Sequence, residues 1–503
     1  MKTYAKLGTV LVLFLLMVAM SLGAGVPALA VGRPPTATPS GPTATPSGST
    51  DYTVTVSASS YGTTEMSIGA NEACSRFNVS DMVDLGLKNY RFYAGMERVE
   101  PLDDDGIFGS PDIPSIKANP SIIPWTVWDA YFNRTDAYWW SSGCVSAGTP
   151  GATSLHDMMS QLLANGISPV IVLRNVENQN PTWAWQNLNP PTTQAGWNEW
   201  WQYVFAWVYT ADVRYGLNVD DWEILNEPDK GGVQGGWGGT KADYVALMAQ
   251  TVNAIDYVYS TYLGNRPHRV YAPGVSGPGS GQTTWITYTL QNADSLFNVL
   301  DWHRYGDPMA QAQTLNNWVD QYNPDGIHEP LMLSEWGSYS GGFGTLSSAM
   351  TYATQLMHHS YAPPYNIARS SIFSMYDWTS SVTGLVGGNG TPHEDYYAFR
   401  LMTRGLQSAK TAYTITDTIP STVDVEPFAA KDPVSGTIYV EIINNTSQSH
   451  TVTLDLTALT TSGTVTFREY SATKKDVVIG TGTVVNGKLI FTIPANSITQ
   501  VIK

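Results

Sequence analysis

Between about residues 65 and 405 the chain repeats one pattern: a short apolar run, a polar or glycine-rich turn, then a longer stretch with apolar residues at helical spacing. Eight of the short runs read as strands. They are Met66–Ala70, Asn89–Ala94, Ser168–Leu173, Trp222–Leu225, Arg269–Ala272, Val299–Trp302, Leu331–Ser334 and Ser371–Met375. Apolar runs of that length, bounded by turn residues, belong to strands covered on both faces. The helical stretches between them include Leu155–Asn165, Trp197–Tyr215, Asp243–Tyr262, Leu315–Tyr322, Leu346–Ser360 and Tyr396–Leu406. Asn165-Gly166 closes the first, because glycine enters the left-handed region at low cost. Strands alternating with helices predict right-handed βαβ units and a parallel sheet. Eight such units in about 340 residues fit a (β/α)8 barrel with long loops better than an open doubly wound sheet.

After about Gln407 the helical period stops. Runs rich in Thr and Val follow at Val423–Ala430, Ile438–Asn444, His450–Leu456, Thr464–Tyr470, Val477–Val484, Lys488–Ile493 and Ile498–Ile502. Asn486-Gly487 between two of them is a hairpin signal. Short strands at regular spacing read as a C-terminal all-β sandwich. Near the other end, Tyr52–Ala58 alternates at period two and offers a further strand to that sheet. The sandwich strands show few exposed aromatics, with Phe467, Tyr470 and Phe491 the main candidates, so a packing role for this domain is expected over a binding one.

The N-terminus carries Lys2 and Lys6, an apolar run from Leu11 to Met20, and Ala28-Leu29-Ala30. A basic start, an apolar middle and a small-x-small site make a secretory signal peptide over residues 1–30. The alternative is a membrane anchor, which Ser21, Gly23, Gly25 and Pro27 interrupt. A secreted, extracellular protein with no membrane contact after cleavage is therefore expected. Residues 31–51 form a linker holding two copies of Pro-Thr-Ala-Thr-Pro-Ser-Gly, a composition with nothing to bury. The catalytic barrel is assigned to 52–407 and the sandwich to 408–503. Two cysteines, Cys74 and Cys144, leave a disulfide open.

Composition narrows the partners. The net charge of −16 argues against nucleic acid and anionic membrane, both of which require a basic face. Aromatics reach 12% while charged residues are only 14%, an excess of flat surface that suits sugar rings although most of it must be core. In the long segment Leu102 to Ser154, Trp125, Trp128, Trp139 and Trp140 either wall a binding cleft or form a small core of their own. Asp103-Asp104-Asp105-Gly106 lacks the ligand spacing of a calcium loop and reads as a turn. No Gly-x-Gly-x-x-Gly follows the first strand and no Walker sequence occurs, so no organic cofactor is implied, and no metal site stands out.

Two stretches share one design. Trp222-Glu223-Ile224-Leu225-Asn226-Glu227-Pro228-Asp229 and Leu331-Met332-Leu333-Ser334-Glu335-Trp336-Gly337 each run a strand into a glutamate. In a barrel, residues at the carboxyl ends of strands surround the active site. Hydrolysis of an equatorial glycosidic bond with retention needs two carboxyls about 5–5.5 Å apart, one donating a proton and one attacking. Glu227 and Glu335, on strands four and seven, face each other across such a mouth. The duller reading is two ordinary loop acids.

These residues resemble the clan A retaining glycoside hydrolases over roughly residues 65 to 405. A barrel followed by a C-terminal β-sandwich resembles families 39, 30, 51 and 79, and the first stretch looks most like family 39. Ser334-Glu335-Trp336-Gly337 is closer to some family 5 members. The resemblance implies Glu227 as acid/base, Glu335 as nucleophile and Asn226 as a donor to the substrate 2-hydroxyl. It also implies His303 near the catalytic centre, Tyr305 holding the nucleophile, Trp378 under the sugar and Arg91 beneath the nucleophile. Each has a structural alternative: His303 a satisfied core histidine, Trp378 plain core, Arg91 a counter-charge for buried acids. Glu177 is a weaker candidate contact, while His156 and Asp157 read as a helix start. The expected activity is hydrolysis of a β-linked polysaccharide or oligosaccharide, xylosidase-, xylanase- or glucanase-like, by a monomer. The alternatives are a carbohydrate-binding protein without turnover and a transglycosylase.

Overall fold

The computed structural model describes residues 51–64, 66–72, 76–96, 111–134, 153–174, 189–231, 236–277, 280–322, 324, 326–337, 342–360, 366–377, 382–407 and 410–503. The expectations for the signal peptide, most of the linker, Cys74, Cys144, Asp103 to Asp105, Trp139, Trp140, Glu177 and Trp378 lie outside the described residues.

Strand β1 (Tyr52–Thr64) comes first and does not enter the barrel. Eight strands do: β2 (Ser67–Asn71), β3 (Asn89–Gly95), β4 (Ser168–Arg174), β5 (Asp221–Ile224), β6 (Arg269–Val275), β7 (Val299–Arg304), β8 (Leu331–Gly337) and β9 (Ile367–Phe373). Every neighbouring pair is parallel, and β2 closes the ring by pairing with both β3 and β9. All residues of β3, β5 and β8 are buried, as two-sided cover demands. At the end of the barrel where the strands begin, Val170, Tyr271, Val299 and Met332 form a small apolar plug. Tyr271 donates there to Asp221 at 2.7 Å, and Arg269 and Arg369 flank the same carboxylate.

The helical stretches stand where the 3.6-residue period puts them, with caps that explain their starts. The Ser154 side chain accepts from the Asp157 N–H ahead of Leu155–Ala164, so His156 and Asp157 do open a helix. Thr240 and Asp243 form a reciprocal capping box ahead of Lys241–Tyr262. Trp200, Trp201 and Trp207 on Gln194–Val208 are all fully buried. Trp128 joins the same main core, and Trp125 stacks on Tyr209 at 5.0 Å, so these two tryptophans pack rather than wall a cleft. One helix, Ser280–Ala293, escaped the pattern because its sequence is rich in Thr, Gln and Ser.

The eighth strand is shifted from its expected place at Ser371–Met375 to Ile367–Phe373. Its early residues are polar but paired inside the protein. Arg369 contacts Asp221, Ser370 meets His359 at 2.8 Å, and Ser371 donates to Asn89 at 2.6 Å. Buried polar pairs of this kind erase the apolar run that marks a central strand.

The second sheet contains β1 with β10 (Lys410–Asp417), β11 (Val425–Lys431), β12 (Ile438–Asn444), β13 (His450–Asp455), β14 (Ser462–Ser471), β15 (Lys474–Val485), β16 (Lys488–Ile493) and β17 (Ser497–Ile502). It closes in the order β1-β10-β11-β12-β17-β14-β15-β16-β13, antiparallel except for the parallel pair β1–β13. Its core includes Val54, Val56, Ile442, Val452, Leu454, Phe467, Phe491 and Val501. Phe467, Tyr470 and Phe491, the candidates for exposed aromatics, are instead buried, which leaves the strand faces without them. Strand β10 was missed at the sequence level, since only Ala412, Tyr413 and Ile415 are apolar in it.

The barrel's last helix, Glu394–Leu406, lies against this sheet. Asp476, fully buried, takes Arg400 at 2.6 Å, Arg404 at 2.6 Å and Arg468 at 2.9 Å. Beside it Glu441 reaches under the helix at Gly405, where a Cβ would sit 2.1 Å from the Glu441 Oε1.

Candidate active site

The eight parallel strands end at one rim, and the sequence-derived candidates meet there. Strand β5 stops at Ile224, and the chain then turns through two left-handed residues, Leu225 (φ 61°) and Glu227 (φ 45°). Each such non-glycine residue costs about 1–3 kcal/mol and persists only where its surroundings hold it. Here the Leu225 N–H donates to the Leu173 carbonyl at 3.0 Å and the Glu227 N–H to the Gly274 carbonyl at 2.9 Å. Gly274 itself has φ +56°, and a Cβ on it would crowd Glu223 Oε1 at 3.2 Å and Asp301 Oδ2 at 3.4 Å. Pro228 then begins the single turn Pro228–Lys230, which brings Lys230 Nζ to 2.7 Å from Glu227 Oε2.

Glu335 lies within β8 and is held from several sides. Arg91 Nη1 and the Tyr93 hydroxyl donate to its Oε1 at 2.8 and 2.7 Å, and the Tyr305 hydroxyl donates to its Oε2 at 2.8 Å. His303, fully buried on β7, places Nδ1 3.0 Å from Glu227 Oε1 and 3.4 Å from Glu335 Oε2. Oxygens of the two glutamates and a nitrogen of His303 all lie within 4.8 Å of one another.

Beneath them Arg91 is the hub. Its Nε and Nη2 grip both oxygens of Glu223 at 2.6 Å, Nη2 also reaches Asn226 Oδ1 at 2.9 Å, and Nη1 reaches Asn71 Oδ1 at 2.8 Å. Asn226 thus hangs from the same guanidinium as the Glu335 carboxylate. Asn71 passes the order on by donating to the Ser334 carbonyl at 2.7 Å.

The electrostatics follow from this packing. Burial alone would raise the Glu335 carboxyl, but the charges of His303 and Arg91 and the two phenol donors hold it at about 2. For His303 burial works downward, and the charges of Glu335 and Glu227 together with the Glu227 hydrogen bond overcome it, lifting it to about 9. Burial and the neighbouring Glu335 charge push Tyr93 and Tyr305 up, so both remain neutral donors. Asp301, two residues before His303, is pushed well up by burial and the charge of Glu223. One carboxylate is therefore held ionised beside a second that faces a cationic imidazole.

Glu227, His303 and Glu335 also make a possible metal-ligand group. The donor set fits poorly. A metal-bound histidine must be neutral, whereas this one is driven towards its cation, and both oxygens of Glu335 already accept hydrogen bonds.

Of the residues singled out from sequence, Arg91, Asn226, Glu227, His303, Tyr305 and Glu335 are brought together. Tyr93, Glu223, Asn71 and Lys230 also belong to the cluster, although they were not singled out from sequence. Tyr93 is two positions after Arg91 and so shares its face of the strand, a signal that period-two reading contains. Strand β9 contributes Phe373, which stands edge-on to Tyr305 with centroids 6.3 Å apart.

No known family profile matches the chain, and no curated protein sequence matches it. Solved structures do. A glucosidase from Croceicoccus marinus aligns over 90% of this chain and 98% of its own, with a TM-score of 0.63 at 15% identity. A family 30 endoxylanase from Clostridium papyrosolvens covers 90% and 99%, with a TM-score of 0.59 at 16% identity. A family 39 β-xylosidase from Caulobacter crescentus also covers 90% and 99%, with a TM-score of 0.59 at 15% identity. The chain has the fold of clan A glycoside hydrolases, a (β/α)8 barrel with an attached β domain. The likeness extends through both parts of it.

Proposed function

We propose that this protein is a secreted, retaining β-glycoside hydrolase acting on β-linked glycans, with Glu335 as nucleophile and Glu227 as acid/base. The observation that carries the reading is the pair itself: two carboxyls within 4.8 Å, close to the roughly 5–5.5 Å of retaining enzymes. Glu335, held ionised, attacks the anomeric carbon while Glu227 gives a proton to the departing glycosidic oxygen. The resulting glycosyl ester on Glu335 is then hydrolysed by a water that Glu227 deprotonates. Tyr305 and Tyr93 keep the attacking oxygens in line, and Asn226, oriented by Arg91, is available to the sugar 2-hydroxyl. The ring of Phe373 beside Tyr305 supplies an apolar face in the cleavage subsite.

The fold neighbours include xylanases, xylosidases and a glucosidase, which supports β-xylosides and β-glucosides as the first substrates to try. The leader-like N-terminus supports secretion. The test is hydrolysis of 4-nitrophenyl β-xyloside, β-glucoside and soluble xylan by wild type, Glu335→Gln and Glu227→Ala. The expected result is loss of at least about a thousandfold in kcat for Glu335→Gln. Azide is expected to rescue Glu227→Ala with formation of a β-glycosyl azide. Full activity in Glu335→Gln overturns the assignment.

A further inference from the structure

Away from the catalytic mouth, a cleft runs along the seam between the barrel and the second sheet. Its first part has a volume of 670 Å³ and is lined by Asp307, Thr354, His358, Asp424, Glu426 and Asn445 among others. Its second part, 420 Å³, opens where two strands of the sheet separate. Strands β10 and β11 pair only at Thr411–Lys431 and Ala412–Ala430. Beyond those pairs Tyr413, Ile415 and Asp417 form one wall, and Val425, Glu426 and Pro427 form the other. Glu426 borders both parts.

From this cleft we infer a second binding site, for a neutral glycan chain that extends beyond the catalytic subsites. The inference rests on the glycosidase reading for the identity of that glycan. Each part has a volume within the range of about 300–1,000 Å³ usual for small-ligand sites. The walls offer carboxylates, side-chain amides and hydroxyls, the partners that sugar hydroxyls require. Tyr61 and Tyr413, both half-buried, add aromatic surface in the second part. Among the described residues lining the first part, His358 is the side chain that can carry positive charge, and it is tied to Glu426 at 2.7 Å and Asp307 at 3.3 Å. With Asp424 and Asp417 nearby, the cleft repels polyanions. An added peptide strand fits less well, because Pro420 and Pro427 in the wall carry no N–H for a ladder.

Two features make the site a prepared one. Asn445 donates to Asp424 at 3.0 Å and to Thr354 at 3.3 Å, which fixes the floor across sheet and helix. Asp307 sits two residues after Tyr305, the residue bonded to Glu335, so the cleft begins beside the catalytic loop. A chain cut at the mouth would therefore gain affinity from this seam.

The test uses the full chain as Glu335→Gln, so that binding is read without turnover. Affinity electrophoresis through gels containing soluble arabinoxylan or mixed-linkage β-glucan compares this protein with versions also carrying Tyr413→Ala or Asn445→Ala. The expected result is that each added change weakens retardation at least fivefold. Tyr413→Phe, which keeps the ring, should stay within twofold, and unchanged circular dichroism shows that the variants fold. In the active protein the same changes are expected to lower the ratio of kcat/KM on polymer to that on an aryl monoglycoside at least fivefold. Equal retardation of all variants overturns the site. Retention of an extended peptide, but not of glycan, overturns its chemistry. Failure of wild type to hydrolyse any glycoside would count against the catalytic reading alone, since the gel measures binding.

Discussion

Arg91 and Glu335 are joined at 2.8 Å inside the barrel, and the same guanidinium clasps both oxygens of Glu223 at 2.6 Å. Neither Arg91 nor Glu223 is accessible to solvent. Removing one partner of a buried ion pair typically costs about 3–5 kcal/mol, because it strands the other charge. Glu223→Gln is thus expected to lower stability by roughly that amount, measured by urea unfolding. It should also lower kcat/KM more than tenfold although residue 223 lies beneath the reacting groups. Activity equal to wild type would show that Arg91 holds Glu335 unaided.

The acid and alkaline limits of the site have opposite origins. Glu335 is held at about 2, below its ordinary 4.5, so its contribution to stability is present above 4.5 and is lost as pH falls towards 2. His303 is held at about 9, above its ordinary 6.5, so its contribution is full below 6.5 and is lost as pH rises through 9. The melting temperature should therefore decline on both sides of a plateau between those ordinary values. Calorimetry from pH 3 to 10 checks this. Tyr305→Phe, which removes one donor from Glu335 and so lets its carboxyl rise towards the ordinary value, is expected to lower the plateau and make the acid limb shallower.

Glu441 behaves in the reverse sense to Glu335. Burial raises its carboxyl to about 8, against relief from Gln500 and from Lys410. An acid raised in the folded state favours the protonated form, so its contribution is full below 4.5 and disappears as pH climbs through 8. Glu441→Gln mimics that protonated form. The variant should lose less stability than wild type between pH 7 and 9, a difference readable in thermal melts.

Asp476 answers three arginines at once and carries φ +55°. Asparagine tolerates that backbone conformation, so Asp476→Asn tests the charge without straining the turn. Loss of the single anion is expected to cost about 3–5 kcal/mol and to loosen the last barrel helix from the sheet. Hydrogen exchange over Glu394–Leu406 should rise accordingly. A variant as stable as wild type would mean that solvent screens the arginines.

How much of this was legible in the sequence depends on which contacts leave a pattern. Strands covered by helices on one side and core on the other leave apolar runs, and seven of the eight barrel strands stand within a few residues of where those runs put them. The eighth was displaced because Arg369, Ser370 and Ser371 are satisfied by Asp221, His359 and Asn89 from distant parts of the chain. A strand-end glutamate also leaves a pattern. What supports it does not: Glu223 reaches the site through Arg91, 132 residues away, and no spacing along the chain announces such a partner. Trp378 lies outside the described residues, and Phe373, where the observed strand ends, was not singled out.

Strand β1 is encoded ahead of the barrel yet hydrogen-bonds almost wholly to residues encoded after it. Thr53 takes its partner in Thr418, 365 positions later. As the chain is made, the barrel segment can assemble while β1 still waits for β10 and β13 to appear. Until then it is a bare edge of the kind that recruits other chains. Strands made only after the barrel are thus the ones that shield the first, and a chain stopped short of them would carry a ready seed for aggregation.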